Sequence, residues 1–197
     1  EDDCEPLFID ENGYNKLFPS SSKENKTELV VQIEIKSIGE VNELVQEFNA
    51  EILVDIWWKD PRITFTNLRS EGNYLNRYWQ DKIWLPPLYF SNTRGNAPLL
   101  GEDSITVEIL QQGPPKPMPI NKLNGGEEFS GRENELLLRG YYQHNFQCAY
   151  DLENYPFDTQ TCSIDLKIPA EMMNYTYFKP LKLSYSGDYL FSFSFIS

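Results

Sequence analysis

The stretch 148-CAYDLENYPFDTQTC-162 decides how the rest of the chain reads. Two cysteines flank thirteen residues, with Asn154, Tyr155, Pro156, Phe157 and Asp158 near the middle. A disulfide closing this fifteen-residue loop would restrict the unfolded chain by roughly 3 kcal/mol. Pro156 pre-sets the backbone for a tight turn at the far end. Tyr155, Pro156 and Phe157 would make an apolar knob, and exposing it forgoes burial worth roughly 25 cal/mol per Å². One reading is a surface disulfide that tidies a hairpin. The other is a loop whose apolar tip meets a partner. The spacing and the proline turn predict that Cys148 and Cys162 bond to each other and that Cys4 stays outside the pair.

Working outward, alternation with a period of two dominates. Leu29, Val31, Ile33 and Ile35 alternate with Gln32, Glu34 and Lys36, a half-buried strand from Glu28. Gly39 to Glu43 read as a turn. A second strand from Leu44 to Trp58 directs Phe48, Ala50, Ile52, Val54, Ile56 and Trp58 inward. Its other face carries Glu47, Asn49, Glu51, Leu53, Asp55 and Trp57. There Leu53 and Trp57 stand among carboxylates, a pattern of faces that touch another surface. Ser104 to Gln111 read as a further strand. Gly113 to Asn134, rich in Pro, Gly and charge, reads as a mobile loop with one short edge strand at Met118 to Asn121. Leu136 to Cys148 places Leu138, Tyr142, His144 and Phe146 inward and Arg139, Tyr141, Gln143 and Asn145 outward. Ile164, Leu166 and Ile168 give another inward face. A loop through Asn174 then leads to a last strand with Tyr189, Phe191, Phe193 and Phe195 on one side.

The chain of 197 residues is long enough for one sizeable core. Aromatics at 14%, with Gly, Pro and Asn between short apolar runs, favour an all-β fold over a helical one. The expected architecture is a two-sheet β-sandwich of nine to ten strands over residues 28–197. Residues 1–27 form a polar N-terminal segment with a short helix around Tyr14, Leu17 and Phe18. A net charge of −13 argues against nucleic acid as a partner and suits cationic ligands or enrichment of cations. The sequons at Asn25 and Asn174 would accept glycans in a secretory compartment, where a disulfide also persists. No apolar run approaches the roughly 18 residues of a membrane span, and no signal peptide is seen, so the text reads as a mature ectodomain.

Three motifs carry a family resemblance. In the loop, Asp151 follows the first cysteine by three residues, Tyr155-Pro156-Phe157-Asp158 forms the centre, and Gln160 precedes the second cysteine by two. This resembles the signature loop of the Cys-loop receptors, the pentameric ligand-gated ion channels. Trp58-Lys-Asp-Pro-Arg62 resembles their Trp-x-Asp-x-Arg segment, in which an aspartate and an arginine pair beside a packed indole. Trp84-Leu-Pro-Pro-Leu-Tyr-Phe-Ser-Asn92 resembles their Trp-x-Pro segment, with Pro87 where an aspartate is usual. The resemblance covers Glu28 to Lys167 and is to an invertebrate-like member with a non-standard agonist site.

The resemblance implies an extracellular ligand-binding domain, at the outer face of the plasma membrane. It implies a homo- or hetero-pentamer with related subunits, a small-molecule agonist at subunit interfaces, and a transmembrane domain that this text does not contain. It implies Tyr89 and Ser91 on one wall of the agonist site, joined by Ala170 and Glu171 after the second cysteine. Leu53 and Asp55 stand on the facing wall. Tyr89 offers a π face and a hydroxyl to a cation, or packs beside the prolines. Ala170 and Leu53 stand where rings are usual, which argues against a standard acetylcholine or GABA site. Glu40, Val41 and Asn42, with Tyr155 to Asp158, resemble the loops that relay binding to the pore. The family's final strand is missing from the text. No cofactor and no metal site is implied.

Other classes read less well. There is no Gly-x-Ser-x-Gly, phosphate loop, His-Glu-x-x-His or Cys-x-x-Cys, so a secreted hydrolase is disfavoured and the chain reads as no enzyme. An immunoglobulin-type adhesion sandwich is disfavoured because the cysteines look too close to span two sheets. A soluble pentameric binding protein without a pore shares every motif with the channel reading.

Overall fold

The computed structural model describes residues 7–8, 14, 16, 26–100, 105–117, 126–153, 160–180 and 191–196. The longest elements grow from the alternating segments. β2 (Thr27–Asn42) buries Leu29, Val31 and Ile33 and pairs antiparallel with β3 (Glu47–Trp58). The whole predicted inward face of β3, Phe48 through Trp58, is buried. β10 (Glu135–Gln147) lies antiparallel to β3 in an unbroken register from Leu136 opposite Trp58 to Gln147 opposite Glu47. Leu138, Tyr142 and Phe146 point into the core as their parity requires. His144 stands among the rings of Phe90, Tyr142 and Phe146.

These strands form a six-stranded sheet in the order β12-β2-β3-β10-β7-β5, completed by β5 (Asn73–Tyr74), β7 (Thr106–Leu110) and β12 (Thr176–Pro180). A three-stranded sheet faces it, ordered β13-β11-β6, from β6 (Tyr89–Phe90), β11 (Cys162–Lys167) and β13 (Phe191–Ile196). Phe90 seals the two layers. Its ring meets Tyr142 edge-on at 5.6 Å and Phe146 at 5.5 Å, while Ile164 and Leu166 of β11 join the same buried cluster. A small third sheet, β1-β4-β9-β8, gathers β1 (Leu7–Phe8), β4 (Thr64–Thr66), β8 (Lys116–Pro117) and β9 (Glu127–Ser130). The fold is all-β, and the one helix among the described residues is α1 (Arg77–Gln80), capped by the Asn76 side chain. The described residues hold thirteen strands in three sheets, more than the nine to ten strands in two sheets expected; four of them have only two residues.

Several boundaries differ from the expected ones. Glu40, Val41 and Asn42 are strand, not turn. Two register shifts, at Ile35/Ser37 and Ile38/Val41, let β2 bulge and continue to Asn42 beyond its last buried residue. The turn is Glu43 to Gln46, and β3 therefore begins at Glu47 rather than Leu44. Ladder pairing, which alternation cannot reveal, decides the point. β12 interrupts the expected loop between Asn174 and the last strand, and runs parallel to β2. Within the loop expected from Gly113 to Asn134, β9 is a strand held by β4, with Phe129 fully buried between them. Met118 to Asn121 lie outside the described residues, as do Leu17 and Phe18.

Candidate functional site

The disulfide links Cys148 to Cys162, with Cα atoms 5.3 Å apart. It joins the end of β10 to the start of β11, and thus one sheet to the other. The objection that so short a spacing cannot bridge two sheets is overturned: the strands leave the same end of the sandwich, so the loop needs only to cross its thickness. Inside the loop the backbone of Asp151 and the Gln160 amide close a reciprocal pair. Asp151 N–H donates to Gln160 Oε1 at 3.0 Å, and Gln160 Nε2 donates to the Asp151 carbonyl at 2.6 Å. Tyr155, Pro156, Phe157 and Asp158 lie outside the described residues.

The β2–β3 turn sits against this end. Cys148 N–H donates to the Gln46 carbonyl at 2.9 Å, and the Tyr150 hydroxyl donates to the Glu47 carbonyl at 3.1 Å. The turn exposes apolar side chains: Leu44 is 97% accessible, and Val41 and Val45 about half so. Glu47, itself buried, accepts from Arg94 Nε at 2.6 Å.

Asn92, the last residue of the Trp84 motif, staples the two sheets one step above. Its Oδ1 accepts from Asp165 N–H at 2.9 Å, and its Nδ2 donates to the Ser163 carbonyl at 2.8 Å and the Gln147 carbonyl at 3.3 Å. Its own carbonyl accepts from Gln147 N–H at 2.7 Å. The motif's terminal position was the only signal of this in the sequence, and parity rules do not reach loop residues.

The expected site residues fall into two groups. Tyr89 lies opposite Lys167 in the β6–β11 ladder, and Ser91 N–H donates to the Asp165 carbonyl at 2.8 Å. Tyr89 and Ser91 are partly exposed, while Ala170 and Glu171 are exposed in the turn just beyond β11. Leu53 and Asp55 stand apart, on the outward face of the six-stranded sheet. Neither is open: Leu53 is covered to 9% accessibility, and Asp55 is held by Arg139, its directly opposed partner on β10. Arg139 Nε and Nη2 reach the two Asp55 oxygens at 2.8 and 2.7 Å, and these bonds hold the guanidinium above its ordinary value. Tyr141, opposite Leu53, presents a half-exposed ring on this face.

The Trp58–Arg62 motif builds a buried knot. Asp60 is fully inaccessible. It accepts from Arg62 Nε at 2.8 Å, Arg62 Nη2 at 2.6 Å and the Tyr14 hydroxyl at 2.8 Å. The Tyr14 oxygen in turn accepts from Trp84 N–H at 2.8 Å, and Arg62 lies over the Tyr14 ring at 4.3 Å. Burial, then the Asp60 charge, pushes the Tyr14 phenol far above its ordinary value. Trp58 and Trp84, the tryptophans of the two motifs, meet edge-on at 6.3 Å. The sequence places Tyr14 in an apolar cluster, because nothing local shows that its hydroxyl reaches residues 46 and 70 positions away.

Asn174 is exposed in the turn before β12, while Asn25 lies outside the described residues. Among the described residues no helix is long and apolar enough to cross a membrane, and no group of three metal-ligating side chains converges. The family model of the neurotransmitter-gated ion-channel ligand binding domain matches residues 7–119, more than half of the chain. That span contains the knot of Asp60 and Arg62, both tryptophans of the motif pair and the Asn92 staple. The chain belongs to the neurotransmitter-gated ion-channel ligand binding domain family.

Proposed function

We propose that this protein is the extracellular ligand-binding domain of a pentameric ligand-gated ion channel, which takes a small molecule between subunits and relays its binding to a pore. The observation that carries the reading is the tie between Cys148 and Gln46, which yokes the disulfide loop to the β2–β3 turn at one end of the sandwich. That end exposes Val41, Leu44 and Val45, apolar surface that gains by meeting a membrane domain. The wall around Tyr89 and Ser91 connects to the same end through Asn92 and Arg94, so a shift at an occupied interface has a covalent and hydrogen-bonded route to both loops. A ligand moves the closed-to-open equilibrium by its difference in affinity for the two states.

In this reading Tyr89, Ser91, Ala170 and Glu171 face Leu53 and Asp55 of a neighbouring subunit, which is identical or related. Asn25 and Asn174 carry glycans, and the domain stands outside the cell. Two measurements on the full-length channel test the reading. Phe157→Ala should leave the domain's melting temperature nearly unchanged and reduce currents evoked by a panel of small amines and amino acids. Normal currents, or a strongly destabilised domain, would remove the relay role. Leu53→Trp should strengthen responses to small cationic amines by supplying a ring. If neither it nor Tyr89→Ala changes any response, the agonist site is elsewhere.

A further inference from the structure

The two sequons, far apart in the chain, end on the first step of one ladder. Asn25-Lys26-Thr27 closes where β2 begins, and Asn174-Tyr175-Thr176 closes where β12 begins. The two strands run parallel, with Thr27 and Thr176 as direct partners. Thr27 N–H donates to the Tyr175 carbonyl at 2.7 Å, so the backbone of one sequon is bonded to that of the other. Lys26 Nζ adds a bond to the Met173 carbonyl at 2.9 Å, across 147 positions of sequence. Both threonines are closed to solvent, Thr176 at 2% accessibility and Thr27 at 9%. The Thr176 hydroxyl is engaged as well. It donates to the Met172 carbonyl at 3.0 Å, the same oxygen that accepts from the Tyr175 and Thr176 N–H groups. Asn174 itself is exposed in the turn.

We infer that the pairing of β12 with β2 is one switch for both glycosylation sites: each sequon accepts its glycan before that ladder forms, and neither accepts afterwards. The transfer takes an oligosaccharide from a lipid pyrophosphate. A bond forms from Asn Nδ2 to C1 of the first sugar as the bond from C1 to the pyrophosphate oxygen breaks; Nδ2 gives up one proton to a base, and the lipid pyrophosphate leaves. The acceptor signal is the hydroxyl two residues on as well as the amide, so the transferase must reach both. The folded turn presents Asn174 and hides Thr176. Exposing that hydroxyl means parting Thr27 from Tyr175 and freeing the Met172 carbonyl, a local unfolding that holds only a small open fraction of molecules. Once attached, a glycan on Asn174 stands on the water side, and the ladder closes behind it. Thr27 is synthesised long before Thr176, so the Asn25 sequon stays open until β12 arrives to bury its threonine. The donor occurs in the secretory compartment, so the switch operates only under the extracellular location proposed above.

Glycan-free protein from a bacterial host, offered to a purified oligosaccharyltransferase with its lipid-linked donor, tests this directly. The protein is supplied once folded and once reduced, alkylated and unfolded, and mass spectrometry reads occupancy at Asn25 and Asn174. The unfolded chain should accept at both sites, and the folded chain at least about tenfold more slowly at each. Phe178→Asp puts a charge where the β12 ring packs against the core opposite Leu29, and leaves both sequons intact. It should raise acceptance at Asn25 and Asn174 together. Melting temperature shows whether this variant is folded. If it is not, Lys26→Ala, which removes only the bond to Met173, takes its place with the same expected direction. Equal rates for folded and unfolded chains at either site would overturn the switch. So would an unfolded chain that accepts nothing, or a folded variant in which one site opens without the other. Rates as expected from a chain that its own cells hold unglycosylated in the cytosol would support the switch and refute the extracellular location instead.

Discussion

Arg139 and Asp55 face each other directly across the β3–β10 ladder and join by two hydrogen bonds, with Asp55 buried and Arg139 half exposed. The exposed guanidinium limits what the pair gains over hydration, but removing it strands a buried carboxylate. Arg139→Ala is expected to destabilise the fold by about 2 kcal/mol in chemical denaturation. Replacing both residues by leucine should cost less than that. A single variant as stable as the parent would show the pair to be ornamental, and would leave Asp55 free for an incoming cation.

Tyr14 bridges the N-terminal segment to both sequence motifs. Tyr14→Phe leaves the Trp84 N–H without its acceptor and removes one donor from Asp60, at a cost of about 2 kcal/mol. The phenol is held above its ordinary value, so its contribution is complete below the ordinary tyrosine range and is lost as pH rises from there through the folded-state value. Absorbance at 295 nm should show one tyrosine ionising well above the ordinary tyrosine range, and the Phe variant should lack it. Ionisation of all tyrosines in one step would refute the buried knot.

Asn92 holds β11 to β10 through one side chain. Asn92→Ala should raise amide exchange at Asp165, whose N–H loses its acceptor, about tenfold or more. Cys148, whose N–H is held by Gln46 instead, should change less. Equal protection of Asp165 in both proteins would mean that the sheets are joined there by something else.

Glu28 accepts from Lys179 at 3.0 Å and from the Tyr177 hydroxyl at 2.8 Å, fastening β12 to β2. The lysine bond first, then the tyrosine bond, lowers the Glu28 carboxyl below its ordinary value. Its stabilisation is present above the ordinary glutamate range and is lost as pH falls through the lower folded-state value. All three groups are largely exposed, so solvent screening keeps the effect small. The difference in melting temperature between the protein and Glu28→Gln should shrink as pH is lowered from 6 toward 3 (about one unit either side of the carboxylate range). A constant difference would place the stabilisation in packing.

Alternation determined much of this fold before any tertiary contact was known. The inward faces of β2, β3, β10 and β11 followed from a period of two, because burying one sheet face is the strongest local constraint on a strand. The closure of the loop from Cys148 to Cys162 was likewise legible in the spacing of its cysteines. Where β2 ends was beyond that rule, since Glu40 and Val41 are exposed and Asn42 only half-buried, and only the ladder to β3 makes this stretch strand. Asp55 looked like an open carboxylate until register set Arg139 opposite it. Leu53, Asn92 and Tyr14 were decided in the same way. Their partners lie far off in sequence, and which far residues meet depends on how whole sheets stack, an arrangement settled by the summed packing of the core around Phe90 rather than by any short stretch.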